Sequence, residues 1–298
     1  MYRRDFLFIL SALAALPACT RSAADRLQAE LAALEKNSGG RLGVCIHDFA
    51  SNETSGHRMD ERFGMCSTFK LPLAGFILRD IDAGRLTADQ LVPYSEDDLV
   101  PYAPVTRQHL AKGGMKVLAL ARAAQITSDN LAANLLLDLI GGPSGFTARL
   151  RELGDEQTRL DRYEPEMNLV PAREVRDTTT PRAMAHTVAK FVHGSVLTPE
   201  SRDKLVDWTR ATMTGRRRIR AGLPDTWQAG DKTGTAYAPG MANKHNDVAV
   251  VWPGASGALV ISGYYEADDH YDEIRAEDDA VLAEVGRLAA GGYQVPSG

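Results

Sequence analysis

Strand-like sequence lies at the two ends of this chain, and helical sequence fills the space between. Arg41 to Ala50 reads as a strand, with a turn at Ser51-Asn52 and a short partner from Glu53 to Arg58. The next strand-like runs are Trp227 to Thr235, Asp247 to Trp252 and Ala258 to Tyr264. From Ser67 to about Trp208 the signals are mostly helical: Val117 to Gln125, Leu131 to Ile140 ended by Gly141-Gly142-Pro143, and Pro181 to His193. Two more helices flank the strands. One covers Ala24 to Leu34, with Leu27, Leu31 and Leu34 on one face, and the other runs from about Tyr271 to Ala290. Neither end holds enough strands for a sheet of its own. The simplest arrangement is an α+β fold of the α/β sandwich type: one antiparallel five-stranded sheet built from both termini and covered by the terminal helices. Residues 24–65 plus 211–298 form that part, and 66–210 form a second, all-helical domain. The groove between them is the expected place for an active site, because ligand pockets favour domain interfaces.

The composition allows a packed core of this size: 298 residues, 44% hydrophobic and 24% charged. A formal net charge of −5 argues against a nucleic-acid partner, and the basic cluster Arg216-Arg217-Arg218 with Arg220 is local. No internal repeat or heptad is present, so a monomer is expected. Residues 1–23 read as a targeting segment. Arg3-Arg4 precede Asp5 and the apolar stretch Phe6 to Leu16, which is too short to span a bilayer and fits a signal peptide. Arg-Arg-Asp-Phe-Leu is similar to a twin-arginine export signal, with an ordinary secretory signal as the alternative. Leu16-Pro17-Ala18-Cys19 is similar to a lipoprotein processing box, so Cys19 is either a lipid anchor or lost on cleavage. The expected location is periplasmic or otherwise extracytoplasmic, with membrane contact only through that anchor. Cys45 and Cys66 then remain, which is neither a disulfide framework nor a metal-ligand spacing. Cys45 is expected to be a small buried hydrophobe in a strand.

Chemistry concentrates in four segments. Ser67-Thr68-Phe69-Lys70 opens the apolar run Leu71 to Leu78. On a helix, positions i and i+3 share a face, so the lysine amine sits beside the serine oxygen. Burial on such a helix disfavours the charged amine, which suits a proton acceptor for an otherwise weak nucleophile. A second Ser-x-x-Lys, Ser201 to Lys204, lies among Arg202 and Asp203 and reads as a solvated helix face. Ser128-Asp129-Asn130 precedes a helix. Ser128 is either its cap or a proton relay to a leaving nitrogen, and Asn130 offers an amide to a substrate carbonyl. Lys232-Thr233-Gly234-Thr235 lies on a strand, where Gly234 marks close backbone approach. Lys232 with the hydroxyls of Thr233 and Thr235 would receive a carboxylate, the alternative being an exposed strand end with a surface lysine. The charge-dense stretch from Arg159 to Asn168, bounded by prolines 165, 171 and 181, reads as a long loop over about 159–177. Glu164 and Asn168 are placed to hold a water between them, as hydrolysis of an ester intermediate needs. Arg162 and Asp177 carry opposite charges near its two ends. A merely solvated loop is the other reading.

Together these segments resemble the class A serine β-lactamases, which carry the same motif set in this order. The resemblance runs from Leu42 to the final helix. Arg162 to Asn168 resembles that family's omega-loop signature, Asp177-Thr178-Thr179-Thr180-Pro181 its exit, and Tyr102-Ala103-Pro104-Val105 the tyrosine segment at the site mouth. The resemblance implies that Ser67 is acylated by a β-lactam, with its own N–H and that of Thr235 as the oxyanion hole. It implies that Lys70 and Glu164 move protons, Glu164 through a water held with Asn168, and that Ser128 protonates the lactam nitrogen. Asn130 would bind the side-chain amide, Lys232, Thr233 and Thr235 the carboxylate with help from Arg218, and Tyr102 would line the mouth. The implied partners are the drug and water, with no metal and no organic cofactor. Three departures stand out, Met167 for leucine, Tyr163 for tryptophan and a longer segment from Ala236 to His245, and Cys66 resembles a feature of carbapenem-hydrolysing members but lacks the cysteine it pairs with there, since Ala236 holds that position. A penicillin-binding D,D-peptidase, which shares the first three motifs but usually lacks the water-activating loop, is the nearest rival. A non-catalytic lipoprotein binding cell-wall peptides would not need Glu164, and a serine esterase would need a Gly-x-Ser-x-Gly elbow that is missing.

Overall fold

A computed structural model describes residues 22–254 and 257–293. The targeting segment with Cys19 therefore lies outside the described residues. Helix α1 (Ala23–Ser38) begins at a capping box in which Ser22 and Asp25 exchange side-chain and backbone hydrogen bonds, and it stops at Gly39 with φ 77°. Strands β1 (Arg41–Asp48) and β2 (Thr54–His57) follow, then the two-residue β3 (Phe63–Gly64). The middle of the chain holds α2 (Lys70–Asp82), the short pair β4 (Leu91–Pro93) and β5 (Gly114–Lys116), and α3 (Val117–Ile126), α4 (Asn130–Leu139) and α5 (Gly142–Glu152). Next come β6 (Thr178–Thr179), α6 (Pro181–Val192) and α7 (Pro199–Ala211). The chain returns to strands β7 (Gln228–Ala236), β8 (Lys244–Gly254) and β9 (Gly257–Glu266) and ends in α8 (Ala276–Gly292).

The main sheet is five-stranded, antiparallel and ordered β2-β1-β9-β8-β7, as the placement of strands at both ends requires. Its two faces follow the period-2 alternation of strands. Leu42, Val44 and Ile46 of β1 pack with Leu27 and Leu31 of α1 and with Leu282 and Val285 of α8. Cys45 and, from the other strands, Val248, Val250, Val260 and Tyr264 face the helices of the chain's middle. At the centre of that helical body lies α2, where every residue from Lys70 to Leu78 is buried, so between its reactive first turn and the polar Arg79, Asp80 and Asp82 at its end the helix is apolar on all sides. The edge strand β7 packs on the segment that leads into α2, and that contact creates the cleft.

Three expectations need correction. Strand β8 starts at Lys244, not Asp247, and pairs Lys244 with Ala236 and Asn246 with Gly234. The run Lys244-His245-Asn246-Asp247 reads as loop because it is polar, yet each side chain is buried against a partner from elsewhere in the chain. Lys244 meets Glu266, His245 meets Asp279, Asn246 donates to the Gly64 and Met65 carbonyls, and Asp247 accepts from the Ile219 N–H. The β7–β8 connection thus shrinks to Tyr237 to Asn243. Helix α8 starts at Ala276 rather than Tyr271, because Asn243 captures the backbone of Tyr271 and Glu273 and holds that stretch non-helical. Gly141-Gly142-Pro143 ends α4 as expected but also opens α5, with Gly141 at φ 90° and proline in the first turn.

Candidate active site

Ser67 lies in a single 3-10 turn, Cys66–Phe69, that runs straight into α2, so the Lys70 amine reaches back one turn to the serine. The Lys70 Nζ lies 2.8 Å from Ser67 Oγ, 2.8 Å from Glu164 Oε1 and 3.0 Å from the Ser128 carbonyl, and it also contacts Asn130 Oδ1. With Ser128 Oγ at 3.5 Å, five oxygens therefore surround an amine that has three protons when charged. Lys70 is fully buried, and burial pushes its pKa down against the pull of Glu164. Ser67 Oγ is also 3.2 Å from Glu164 Oε1, so its proton has two acceptors within reach.

Of the Ser128-Asp129-Asn130 segment, Asp129 rather than Ser128 caps α4. Its carboxylate accepts from the Ala132, Val105 and Thr106 N–H groups, which ties the Tyr102–Val105 segment to the helix start. Ser128 instead holds a left-handed φ of 61°, a strained state for a non-glycine residue. That conformation aims Oγ between the two lysines, 3.0 Å from Lys232 Nζ and 3.5 Å from Lys70 Nζ. Asn130 donates one N–H to the Pro101 carbonyl, which leaves its second for a ligand. Tyr102 is exposed at the mouth.

The loop over 159–177 is held as its charges suggest. Asp177 accepts from the Asp161 and Arg162 N–H groups, and its Oδ2 lies 2.6 Å from Arg162 Nε. Glu164 is buried. Asn168 Nδ2 donates to its Oε2 at 2.5 Å, and Met167 packs into the core. Asn134, which the sequence reading missed, brackets the backbone of Glu164: its Oδ1 accepts from the Glu164 N–H and its Nδ2 donates to the Glu164 carbonyl. Asn134 stands four residues after Asn130 on α4, and that i, i+4 spacing was the available signal. Tyr163 keeps a polar anchor through its hydroxyl, 2.7 Å from Asp138.

The opposite wall is β7. Lys232 is no surface lysine. It is fully buried, donates to Ser128 Oγ and the Thr233 carbonyl, and has its pKa pushed down to about 7 by burial and then by the charge of Lys70. A Cβ on Gly234 would come 2.8 Å from the Met65 carbonyl oxygen, so only glycine lets β7 lie against the Ser67 segment. Thr233 Oγ1 is 2.6 Å from Thr214 Oγ1, and Thr235 Oγ1 accepts from Arg218 Nη2 at 2.7 Å. The basic cluster divides. Arg218 is buried and bonded to Asp279 at 2.8 Å, Arg220 meets Asp231, and Arg216 and Arg217 stay exposed. Asp279, at the start of α8, is the second residue that the sequence reading missed.

Ser67, Tyr102, Ser128, Asn130, Glu164, Asn168, Arg218, Thr233 and Thr235 all line one cavity of about 660 Å³, with Lys70 and Lys232 buried behind its wall. The second Ser-x-x-Lys lies apart from it. Its Ser201 is not solvated but buried, donating to Asp82 at 2.6 Å. Cys45 and Cys66 are free and buried, both with thiol pKa values pushed up to about 12 by burial, and Cys66 packs on Ala236 and Met241. Among the described residues no His, Cys, Asp or Glu cluster suits a metal ion.

Known proteins resemble this chain over most of its length. The profile of the beta-lactamase enzyme family matches residues 26–293. Beta-lactamase L2 of Stenotrophomonas maltophilia is 47% identical over 261 residues, 87% of this chain and 84% of that protein. The carbapenem-hydrolyzing beta-lactamase KPC of Klebsiella oxytoca is 40% identical over 297 residues, 99% of this chain and 98% of that protein. Among solved structures, an ancestral (GNCA) class A β-lactamase superposes with a TM-score of 0.84 at 48% identity, covering 90% of this chain and 100% of its own. The chain belongs to the class A β-lactamases.

Proposed function

We propose that this protein hydrolyses β-lactam antibiotics in two steps at Ser67 and so confers β-lactam resistance. The Ser67 Oγ attacks the lactam carbonyl carbon, and its proton passes to Lys70 or Glu164, both within reach. A neutral Lys70 accepts it directly. A charged Lys70 leaves that role to Glu164. The developing oxyanion is received by the N–H groups of Ser67 and Thr235. As the ring C–N bond breaks, Ser128, fed by the two lysines beside it, returns a proton to the leaving nitrogen. A water then attacks the ester, Glu164 takes its proton, and the C–Oγ bond breaks to release the acid and restore Ser67. Asn130 holds the acyl amide, and Lys232, Thr233, Thr235 and Arg218 hold the ring carboxylate.

One observation carries the hydrolytic reading over the peptidase one. Glu164 is buried 3.2 Å from Ser67 Oγ, and its neighbour Asn168 keeps a buried Oδ1 with no partner among the described residues. An acceptor amide beside a carboxylate suits a water poised on the ester. The protein acts as an exported enzyme, a reading supported by the signal-like segment before Ala24, and as a monomer, a reading supported by the lack of repeats or heptads in its sequence. The test is intact mass after mixing with a penicillin. Wild type should turn the drug over and return to its free mass, while Glu164→Gln stays loaded at Ser67. A wild type that stays loaded would make this a penicillin-binding protein in behaviour.

A further inference from the structure

The charges around the cavity do not balance. Its lining holds two carboxylates, Glu164 and Asp279, and three cations, Arg216, Arg217 and Arg218. Both carboxylates are engaged, Glu164 by Lys70 and Asp279 by Arg218 and His245. Arg218 in turn spends its donors on Asp279, the Gly234 and Asn246 carbonyls and Thr235. Arg217, 74% exposed, touches only the far oxygen of Asp279 at 3.3 Å, and Arg216 has no ion pair among the described residues. Two cations thus face the cavity beyond those that one ring carboxylate uses. Apolar surface flanks them, since Met213 and Ile274 line the same cavity while 64% and 45% exposed.

Position narrows the occupant. The carboxylate cradle at Thr233 is bonded to Thr214, which leads directly to Arg216. In a cephalosporin the C3 substituent sits on the ring carbon next to the one bearing the carboxylate. A drug anchored at Thr233 and Thr235 therefore turns that substituent toward Thr214 and the two arginines. We propose that Arg216 and Arg217, with Met213 and Ile274, form a second anion subsite that selects cephalosporins bearing an acidic heteroaryl group at C3. The proposal rests on the β-lactamase reading above. A flat anionic ring matches both features of the ledge, since guanidinium groups pair with anions and stack on aromatic faces while the apolar side chains cover its edge.

The test uses three cephalosporins with one acyl side chain and an anionic, a neutral or a cationic C3 group, assayed at low and high salt. Wild type should show a KM about two- to tenfold lower for the anionic drug than for the neutral one, the size expected for two exposed charge contacts. High salt should shrink that preference. In Arg216→Gln/Arg217→Gln it should vanish, with kcat for the neutral drug unchanged. In Arg216→Glu/Arg217→Glu the cationic drug should be favoured instead. Turnover of all three without a preference, or a preference that survives the double substitution, overturns the subsite alone. No turnover of any of them by an enzyme that still hydrolyses a penicillin overturns the subsite alone, and no turnover of the penicillin either overturns the β-lactamase reading with it.

Discussion

Lys70 and Lys232 are both fully buried, and both reach Ser128, one from each wall of the cleft. Their surroundings differ in sign. Lys70 has the Glu164 carboxylate at 2.8 Å, so the helical wall is close to neutral within itself and can pass protons without importing charge. Lys232 meets only a hydroxyl and a carbonyl at close range, while the nearby Asp231 is paired with Arg220. That environment suits the proposed role of the sheet wall as a receptor for a substrate carboxylate. A buried lysine can serve as a proton carrier or as a charge receptor, and the partner decides which.

The sharpest way to break this contrast is to remove each amine in turn. Lys70→Ala should lower kcat/KM about 10²- to 10⁴-fold, mainly through kcat, as loss of a proton-transfer group does. Lys232→Ala should cost about 10- to 10³-fold, mainly through KM, because it strips a charge that meets a substrate carboxylate in a buried site. Steady-state kinetics on one penicillin decide it. If both variants fail in kcat alone, the two walls share one function and the contrast is wrong.

A smaller effect comes from the clamp that supports only the helical wall. Asp177→Ala removes the acceptor for two backbone N–H groups and leaves Arg162 unpaired. Stability should fall by about 1–3 kcal/mol, the cost of orphaning such donors. The loop carrying Glu164 then loosens, so kcat should drop about tenfold while KM holds, and acyl-enzyme should build up in intact-mass spectra. A rise in KM without acyl-enzyme build-up would mean that the clamp supports the carboxylate cradle instead.

How much of this was legible before folding follows the same division. Ser67 with Lys70, Glu164 with Asn168 and Lys232 to Thr235 each lie in a short contiguous motif, so spacing was enough to single them out, while their roles came from the resemblance of the motif set; Arg162 and Asp177, fifteen residues apart, were matched by opposite charge at the two ends of one loop. The five-stranded sheet followed from where the strand signals fell. What stayed hidden is set by partners distant in sequence. The start of β8 looked like loop because nothing nearby predicts that Glu266, Asp279, Gly64 and Ile219 will satisfy its four polar side chains. Asp129 was passed over as the cap because its hydroxyl neighbour is an equally good capping residue, and only the left-handed turn at Ser128 separates them. Asp279 lies 61 residues beyond the arginine it holds, on a helix whose expected start was five residues too early.

The smallest effect is a pH dependence confined to the sheet wall. With its pKa pushed down to about 7, Lys232 is a cation below that pH and increasingly neutral above it. Affinity for the ring carboxylate should therefore weaken as pH rises through about 7, with KM climbing up to about tenfold per unit while kcat stays flatter. Stability runs the other way. A lysine whose folded pKa lies below its unfolded value near 10.5 favours folding most in its neutral form, and that contribution is lost as pH falls through about 7. Asp231, which burial raises to about 6, works against this trend, since its contribution is lost as pH rises. The difference between two proteins isolates the lysine. Lys232→Met should melt above wild type at pH 6 by a margin that shrinks toward pH 8.5, and its KM, already high, should no longer depend on pH. A constant melting difference across that range would show that Lys232 keeps its charge in the free enzyme, and would erase the contrast between a receptor waiting for its anion and a network already complete.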